Sequence, residues 1–438
     1  MISFRYVRRV FAMRWGTAAV LGVCVCFGAG CKSRPPEAQP DQRSAMRVPP
    51  PPRPEPFSPR VLQRCFADDA SGAPARPLGA LLDRASERHD HSDYAAALVC
   101  SEEAARVDPR SVEAHEDRAL ALVELARKDE ARAAIGRALA IDPDDPHTLV
   151  SAADLLLNRF TAKGDVASDD AAAALEHALR GLDRLRRARA KVDRPLRARL
   201  ELLAGQALSD LGRAKEAVPH LDAAIAAAPE DLTARYERGV ALFDLCRFVD
   251  AEKSLRAVVD KDPSDAFAHQ QLGLTEEQLG HEAAAAHELA EALRLDPTEI
   301  HAPIDVSRPA FEKMVQEEVA ALAPRLRSDL ALVDLELPDL PRLDDLTADD
   351  PPLPPTILGL FRGGPLLEPV KAESSRHART DMVKPDVERR AIALYRLNLM
   401  RAVSSVAELR EQVRTTLHHE LGHLRGEDDD ALRARGLE

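Results

Sequence analysis

The sequence predicts two folded regions in series: an all-α solenoid of paired helices over residues 78–299 and a small α+β domain over residues 300–438. Three observations predict it. Prolines punctuate an Ala-rich helical stretch at a fixed interval. Past Glu299 the composition shifts to short alternating segments separated by proline-marked loops. Near the end, apolar residues at helical spacing carry His-Glu-Leu-Gly-His on one helix.

The interval is read by subtraction. Pro109 to Pro143, Pro195 to Pro229, Pro229 to Pro263 and Pro263 to Pro297 are each 34 residues, and Pro143 to Pro195 is 52, one period plus an 18-residue insertion around residues 158–170. A fixed period of this size is the mark of a helix-turn-helix solenoid, in which each unit buries its apolar face only against its neighbours. Small residues recur in phase: Gly205, Gly239 and Gly273 at one position, with Ala119 earlier, and Ala97, Ala131, Ala217, Ala251 and Ala285 at another. The stretch resembles the tetratricopeptide repeat in six units, on period and small residues, while that repeat's usual Trp is absent throughout. The resemblance implies that the first helix of each unit lines a concave groove suited to an extended peptide or a partner helix. Gln206, Tyr236, Phe243, Phe267 and Gln270 would then face inward, although Tyr236 and Phe267 could equally pack between helices.

In the last region, residues 309–326 read as an amphipathic helix. Residues 331–337, 357–361 and 391–400 read as strands, with polar loops at 338–355 and 363–385. Val406, Leu409, Val413, Leu417, Leu421 and Leu424 form the buried face of the final helix, a face that would exist with or without a metal.

On that helix His419 and His423 stand four apart and share a side, so both imidazoles can reach one zinc ion, with Glu420 turned beside it. A catalytic zinc takes three protein ligands and keeps one position for water. Gly426 lets the backbone leave the helix through a left-handed conformation, and the carboxylate of Asp429 can swing back as the third donor. Of four consecutive acids, Glu427 and Asp428 follow the turn too closely and Asp430 points past the ligand side. His418 lies about 100° round the helix from His419 and is expected to face solvent or the ligands' surroundings.

The full pattern, His-Glu-x-x-His-x-x-Gly-x-x-Asp, resembles the aspartate-bearing relative of the metzincin motif. Nine residues follow Asp429, too few for a Met-turn and C-terminal subdomain. With the flanking residues 357–363, 392–396 and 413–416, the last 130 or so residues resemble the small bacterial minimal zincin metallopeptidases. The resemblance implies Zn2+ as cofactor, Glu420 as the catalytic base, and a peptide or protein substrate paired with a sheet edge, for which residues 391–400 are the candidate. Tyr395 is a possible oxyanion donor, with strand packing as its other role.

Arg5, Arg8, Arg9 and Arg14 followed by an apolar run over residues 16–30 read as an export signal too short to span a bilayer comfortably. Gly28-Ala29-Gly30-Cys31 resembles a bacterial lipobox, although Gly28 stands where Leu is usual. The resemblance implies cleavage before Cys31, lipidation of its sulfur and anchoring to a membrane of the cell envelope, with simple membrane retention or secretion as alternatives. Residues 31–77 then form a linker, with ten prolines between Lys32 and Arg60 that favour extended polyproline II.

Loss of the signal's four Arg takes the formal charge from −13 to −17, which excludes nucleic acid as partner. Cys65 and Cys100 are a possible bridge, and Cys246 sits at core spacing. The expectation is a membrane-anchored zinc peptidase whose repeats recruit substrate or partner. The alternative is a repeat scaffold of an envelope complex whose last domain is structural or inactive.

Overall fold

The computed structural model describes Cys65 and residues 77–157, 168–188, 193–366 and 390–437. The basic segment, Cys31 and the proline-rich stretch lie outside the described residues, as do most of the insertion and most of the 363–385 loop. Among the described residues no helix is long and apolar enough to cross a membrane. The chain divides into two compact units at Ile141/Asp142.

The first unit holds two helix pairs, α1 (Leu78–Asp90) with α2 (Tyr94–Val107), and α3 (Val112–Glu124) with α4 (Lys128–Ile141). Leu81, Leu82, Ala85, Val99, Cys100, Ala104 and Ala114 form a core of its own. The Cys65–Cys100 bridge is formed, with the two Cα atoms 5.2 Å apart.

The second unit begins with four more pairs: α5 (Pro146–Leu157) with α6 (Ser168–Arg187), α7 (Arg194–Asp210) with α8 (Ala214–Ala227), α9 (Leu232–Asp244) with α10 (Phe248–Lys261), and α11 (Ala266–Gln278) with α12 (Glu282–Leu295). The proline period works through caps. Ser111, Asp145, Asp231 and Asp265, each two residues after a period proline, accept a hydrogen bond from the backbone N–H three residues on. Such a side chain satisfies a donor that the helix leaves open, and the preceding proline ends the previous helix. Pro195 departs from this role. It lies in the first turn of α7 behind the Asp193 cap, so α7 starts a turn early and runs 17 residues against 13 in α9 and α11. The in-phase glycines are packing devices. A Cβ at Gly205, Gly239 or Gly273 would fall within 3 Å of Leu221, Leu255 or Leu289 on the partner helix.

After α12 come α13 (Arg308–Ala321), α14 (Pro324–Leu330), β1 (Asp334–Glu336), α15 (Leu343–Leu346), β2 (Gly359–Arg362), β3 (Ala391–Leu394), α16 (Arg396–Arg401), α17 (Val406–Leu424) and α18 (Asp429–Ala434). The helix expected over residues 309–326 is two helices, because Pro324 has no N–H to continue the first and opens the second. The strand expected over residues 391–400 ends at Leu394 and gives way to α16. Asn398 on α16 donates to the carbonyls of Pro355 and Ile357, and Arg396 pairs with Asp339, so tertiary contacts hold this helical turn.

The sheet order is β1-β3-β2, with β3 parallel to β1 and antiparallel to β2. β3 is therefore central, and the edge role expected for it passes to β2. Ile392 and Leu394 pack with Phe311, Met314, Val315, Leu399 and the face Leu409, Val413, Leu417, Leu421 and Leu424. Val406, expected in that face, is 53% exposed at the helix start. Arg410 and Arg414 of α17 clamp the buried Glu318 of α13 at 2.9 and 2.8 Å.

Residues 338–357 form a strap that joins this core to the repeats. Leu346 is fully buried in the repeat core, with Leu353 and Ile357 packed against it. Cys246 donates through Sγ to the Leu353 carbonyl at 3.6 Å, and Lys215 meets Asp350 at 2.8 Å. Arg401 of α16 pairs with Glu277 of α11.

Candidate metal centre

The helix that carries His419 and His423, α17, is specified at both ends. Ser405 caps α17 by accepting from the Glu408 N–H at 3.2 Å, while the Glu408 carboxylate accepts from the Ser404 N–H at 2.8 Å. At the other end Gly426 has φ +82°, and the Glu427 N–H donates back to the Gly422 carbonyl at 3.0 Å. The chain thus reverses where a side chain would strain it. Asp428 caps α18 by accepting from the Ala431 N–H at 2.8 Å, which sets Asp429 on its first turn. Leu432 then lies fully buried against Gly422, where a Cβ would clash with the leucine side chain.

This reversal brings His419, His423 and Asp429 together. The two Nε2 atoms are 3.0 Å apart, and Asp429 Oδ1 lies 3.3 Å from that of His423 and 3.7 Å from that of His419. The other acids are employed elsewhere: Glu427 pairs with Arg435, Asp428 caps, and the exposed Asp430 pairs with Arg433. His418 is half-buried and outside the cluster, its pKa lowered by burial and by Arg435 and Arg414.

The donor set fits zinc. His419 Nδ1 lies 2.6 Å from the Leu437 carbonyl and His423 Nδ1 lies 3.1 Å from the Glu427 carbonyl. A carbonyl only accepts, so each Nδ1 donates, and in the neutral ring that leaves the Nε2 lone pair for a metal. Two imidazole nitrogens and a carboxylate then face one another, an arrangement that a cation suits. Donors about 2.0–2.1 Å from a tetrahedral zinc stand about 3.4 Å apart, the middle of the three separations found here. Burial lowers the pKa of His423, as does the neighbouring His419, against the raising effect of the Glu427 carbonyl and of Asp429 and Asp428.

Glu420 is 5% exposed, beneath β2. Its carboxyl is pushed up to about 8 by burial, held back by a hydrogen bond from the Phe361 N–H and raised further by Asp429. β2 lies so close that a Cβ on Gly359 would come within 2.8 Å of Glu420 Oε1. Tyr395 is fully buried, and its hydroxyl has no hydrogen-bond partner among the described residues. It packs in the core, its pKa raised by burial, rather than serving as an oxyanion donor.

The groove residues fare unevenly. Phe243 is buried and stacks edge-on against Phe248 at 5.6 Å, and Phe267 is buried with Ala266, Ala292 and Ile300, so neither lines a groove. Both fall on the stripe that the helix pairs close over. Gln206, Tyr236 and Gln270 are half-buried, and Gln206 donates to Glu237 at 2.9 Å. Sequence reasoning missed the parts played by Gly422, Phe361 and Leu437. Only the glycine inside His-Glu-Leu-Gly-His left a readable signal.

Residues 330–437 match the zincin-like metallopeptidase family, and residues 82–146 and 202–266 match the tetratricopeptide repeat. Among solved structures the chain is similar to PilW, described as a widely conserved type IV pilus biogenesis factor, at 20% identity over 52% of this chain and 98% of that one, TM-score 0.44. It is similar to pilF of Pseudomonas aeruginosa at 14% identity over 50% and 92%, TM-score 0.43. A third is YrrB, a TPR protein with an unusual peptide-binding site, at 19% identity over 45% and 93%, TM-score 0.35. A search of curated proteins finds no match. The chain thus joins tetratricopeptide repeats to a C-terminal zincin-like metallopeptidase domain.

Proposed function

We propose that the protein is a zinc-dependent peptidase, exported and held at a membrane through Cys31, whose repeats bring it to a protein substrate or partner. The observation that carries the enzymatic reading is the convergence of His419, His423 and Asp429 on one point, with Glu420 on the same helical turn. His419, His423 and Asp429 would hold the ion. Zinc, when bound, supplies Lewis acidity toward a water and the scissile carbonyl. Glu420 would take the attacking water's proton at its carboxylate and return it to the leaving amine, a role that follows from its place on the same helical turn as His419 and His423. β2 is an edge strand lying over Glu420. An extended substrate pairs with it by main-chain hydrogen bonds, which orients the peptide without reading its sequence.

A scaffold with an idle zincin domain has one observation in its favour, the cover that β2 places over Glu420. Turnover separates the two. Glu420→Ala is expected to cut cleavage of a peptide library by about 10²–10⁴-fold while zinc content and fold persist. If wild type and variant are equally inert, on cell-wall peptides as well, the peptidase reading is dropped for the scaffold. The anchor has its own test: Cys31→Ser abolishes fatty-acid labelling, and labelling that survives refutes the lipobox.

A further inference from the structure

We propose that the backbone carbonyl of Leu437 is a positioning group of the metal centre, fixing His419 as the Nδ1–H tautomer so that its Nε2 meets His423 and Asp429 as a lone-pair donor. The inference rests on reading those three residues as metal ligands, and it concerns a residue outside the motif that defines them.

The two histidines are held differently. His423 is oriented by Glu427, four residues on and inside the same turn, at 3.1 Å. His419 is oriented by Leu437, eighteen residues on, through the shorter contact of 2.6 Å. The path to that carbonyl is built. Leu432 anchors α18 on Gly422, Gly436 turns the chain with φ +71°, the Gly436 N–H donates to Arg433 O at 2.9 Å, and the Leu437 N–H donates to Leu432 O at 3.1 Å. One short element therefore supplies a ligand from its first turn and the lock on another ligand from just past its last. A neutral imidazole without that acceptor can place its hydrogen on either nitrogen, and the Nε2–H form presents a hydrogen where a donor is needed.

The test compares the full chain, a chain stopped after Arg435, and Leu437→Ala, which keeps the backbone carbonyl. The first readout is the His419 tautomer by nitrogen NMR in the metal-free protein at pH 8.5. The second is zinc affinity by chelator competition, with hydrogen exchange at the Leu421 amide checking that α17 remains folded. The full chain is expected to show His419 as Nδ1–H. The stopped chain should show a tautomer mixture and zinc affinity weakened about 10- to 100-fold, and Leu437→Ala should follow the full chain in both. An Nε2–H tautomer in the intact metal-free chain overturns the proposal without any variant. So does a stopped chain that keeps both tautomer and affinity. A loss in Leu437→Ala equal to that of the stopped chain assigns the effect to side-chain packing and also overturns it. Should the intact chain bind no zinc, the metal-ligand reading fails, while the tautomer measurement still decides the lock.

Discussion

Gly422 is the residue on which the site's closure turns, and a sign reversal tests that. In an ordinary helix interior, Gly→Ala stabilises by about 0.5–1 kcal/mol because alanine loses less backbone entropy. Here the added Cβ would lie 3.2 Å from Leu432 Cγ and closer still to Cδ2, against a leucine with no exposed surface into which to move. Overpacking of this kind costs about 1–3 kcal/mol. The net effect of Gly422→Ala is therefore a loss of about 0.5–2 kcal/mol. Leu432→Ala alone opens a void and costs about 2–5 kcal/mol. In that background the alanine at 422 no longer meets an obstacle, so the same substitution should stabilise. The assay is native-state hydrogen exchange at the Leu417 and Leu421 amides in the metal-free protein, which reads opening of α17 itself rather than of the repeats. Additive effects would refute the reasoning, since they would mean that α18 is not seated through this contact. Gly422→Ala should also weaken zinc binding, because the displaced helix carries both Asp429 and the approach to Leu437.

Among Ala variants of residues 427–430, Asp429→Ala should release zinc to a mild chelator, and Asp429→Asn should fall between it and wild type. Asp430→Ala should retain the metal, and Asp428→Ala should lose about 1 kcal/mol of α18 stability with its cap; metal retained by Asp429→Ala but lost by Asp428→Ala would reverse the ligand assignment. Reduction of the Cys65–Cys100 bridge, which closes a span of 35 residues, should cost the first unit about 4 kcal/mol by loop entropy, read as a fall in melting temperature that Cys100→Ala reproduces. Asp117, whose carboxyl burial pushes up to about 7 with Glu113 and Glu116 adding to it, binds its proton more tightly folded than unfolded. The stability it contributes is therefore complete below about pH 4 and lost as pH rises toward 7. Asp117→Asn should flatten that part of the pH profile for α1 and α3 amides, and an unchanged slope would show that another group titrates there.

What the sequence made legible was what repeats or what one helix can present by itself. The 34-residue period survives because each pair needs the same kind of cap and the same small residue, and the convergence of His419, His423 and Asp429 was legible because a helical turn and one glycine fix their relation. Legibility ended where a residue's role is set by something distant in sequence. Residues 391–400 carry no local stop after Leu394; the change to helix is held by Asn398 reaching carbonyls some forty residues earlier and by Arg396 meeting Asp339. The centrality of β3 depends on β1 pairing in parallel from across a long connection, which periodicity cannot reveal. Phe243 and Phe267 were misplaced for a different reason, since an aromatic on the first helix of a pair reads the same whether it meets the groove or the partner helix. Pro324, by contrast, was a readable stop for the helix it interrupts.

The strap over residues 338–357 bears on how the two activities proposed for this chain coexist. A recruiting groove and a peptidase domain on one chain would compete if the domain filled the groove. The polar contacts that couple them fall elsewhere: Lys215 opens α8, Cys246 sits between α9 and α10, and Glu277 closes α11, so each lies at the turn between the helices of one pair. That is the rim of the repeat array rather than the face of its first helices, where Gln206, Tyr236 and Gln270 remain half-buried. The exposed Lys215–Asp350 pair adds little to the attachment. Its strength comes from the burial of Leu346 and from the Arg401–Glu277 pair, whose desolvated charges are costly to separate. Leu346→Asp should thus loosen the strap and, through it, β2 above Glu420, raising hydrogen exchange at Phe361 while the α9 and α10 amides hold. Exchange at Phe361 that stays at the wild-type rate would mean that β2 is held by β3 and Glu420 alone, and that the repeats carry the zincin-like domain without bracing its edge.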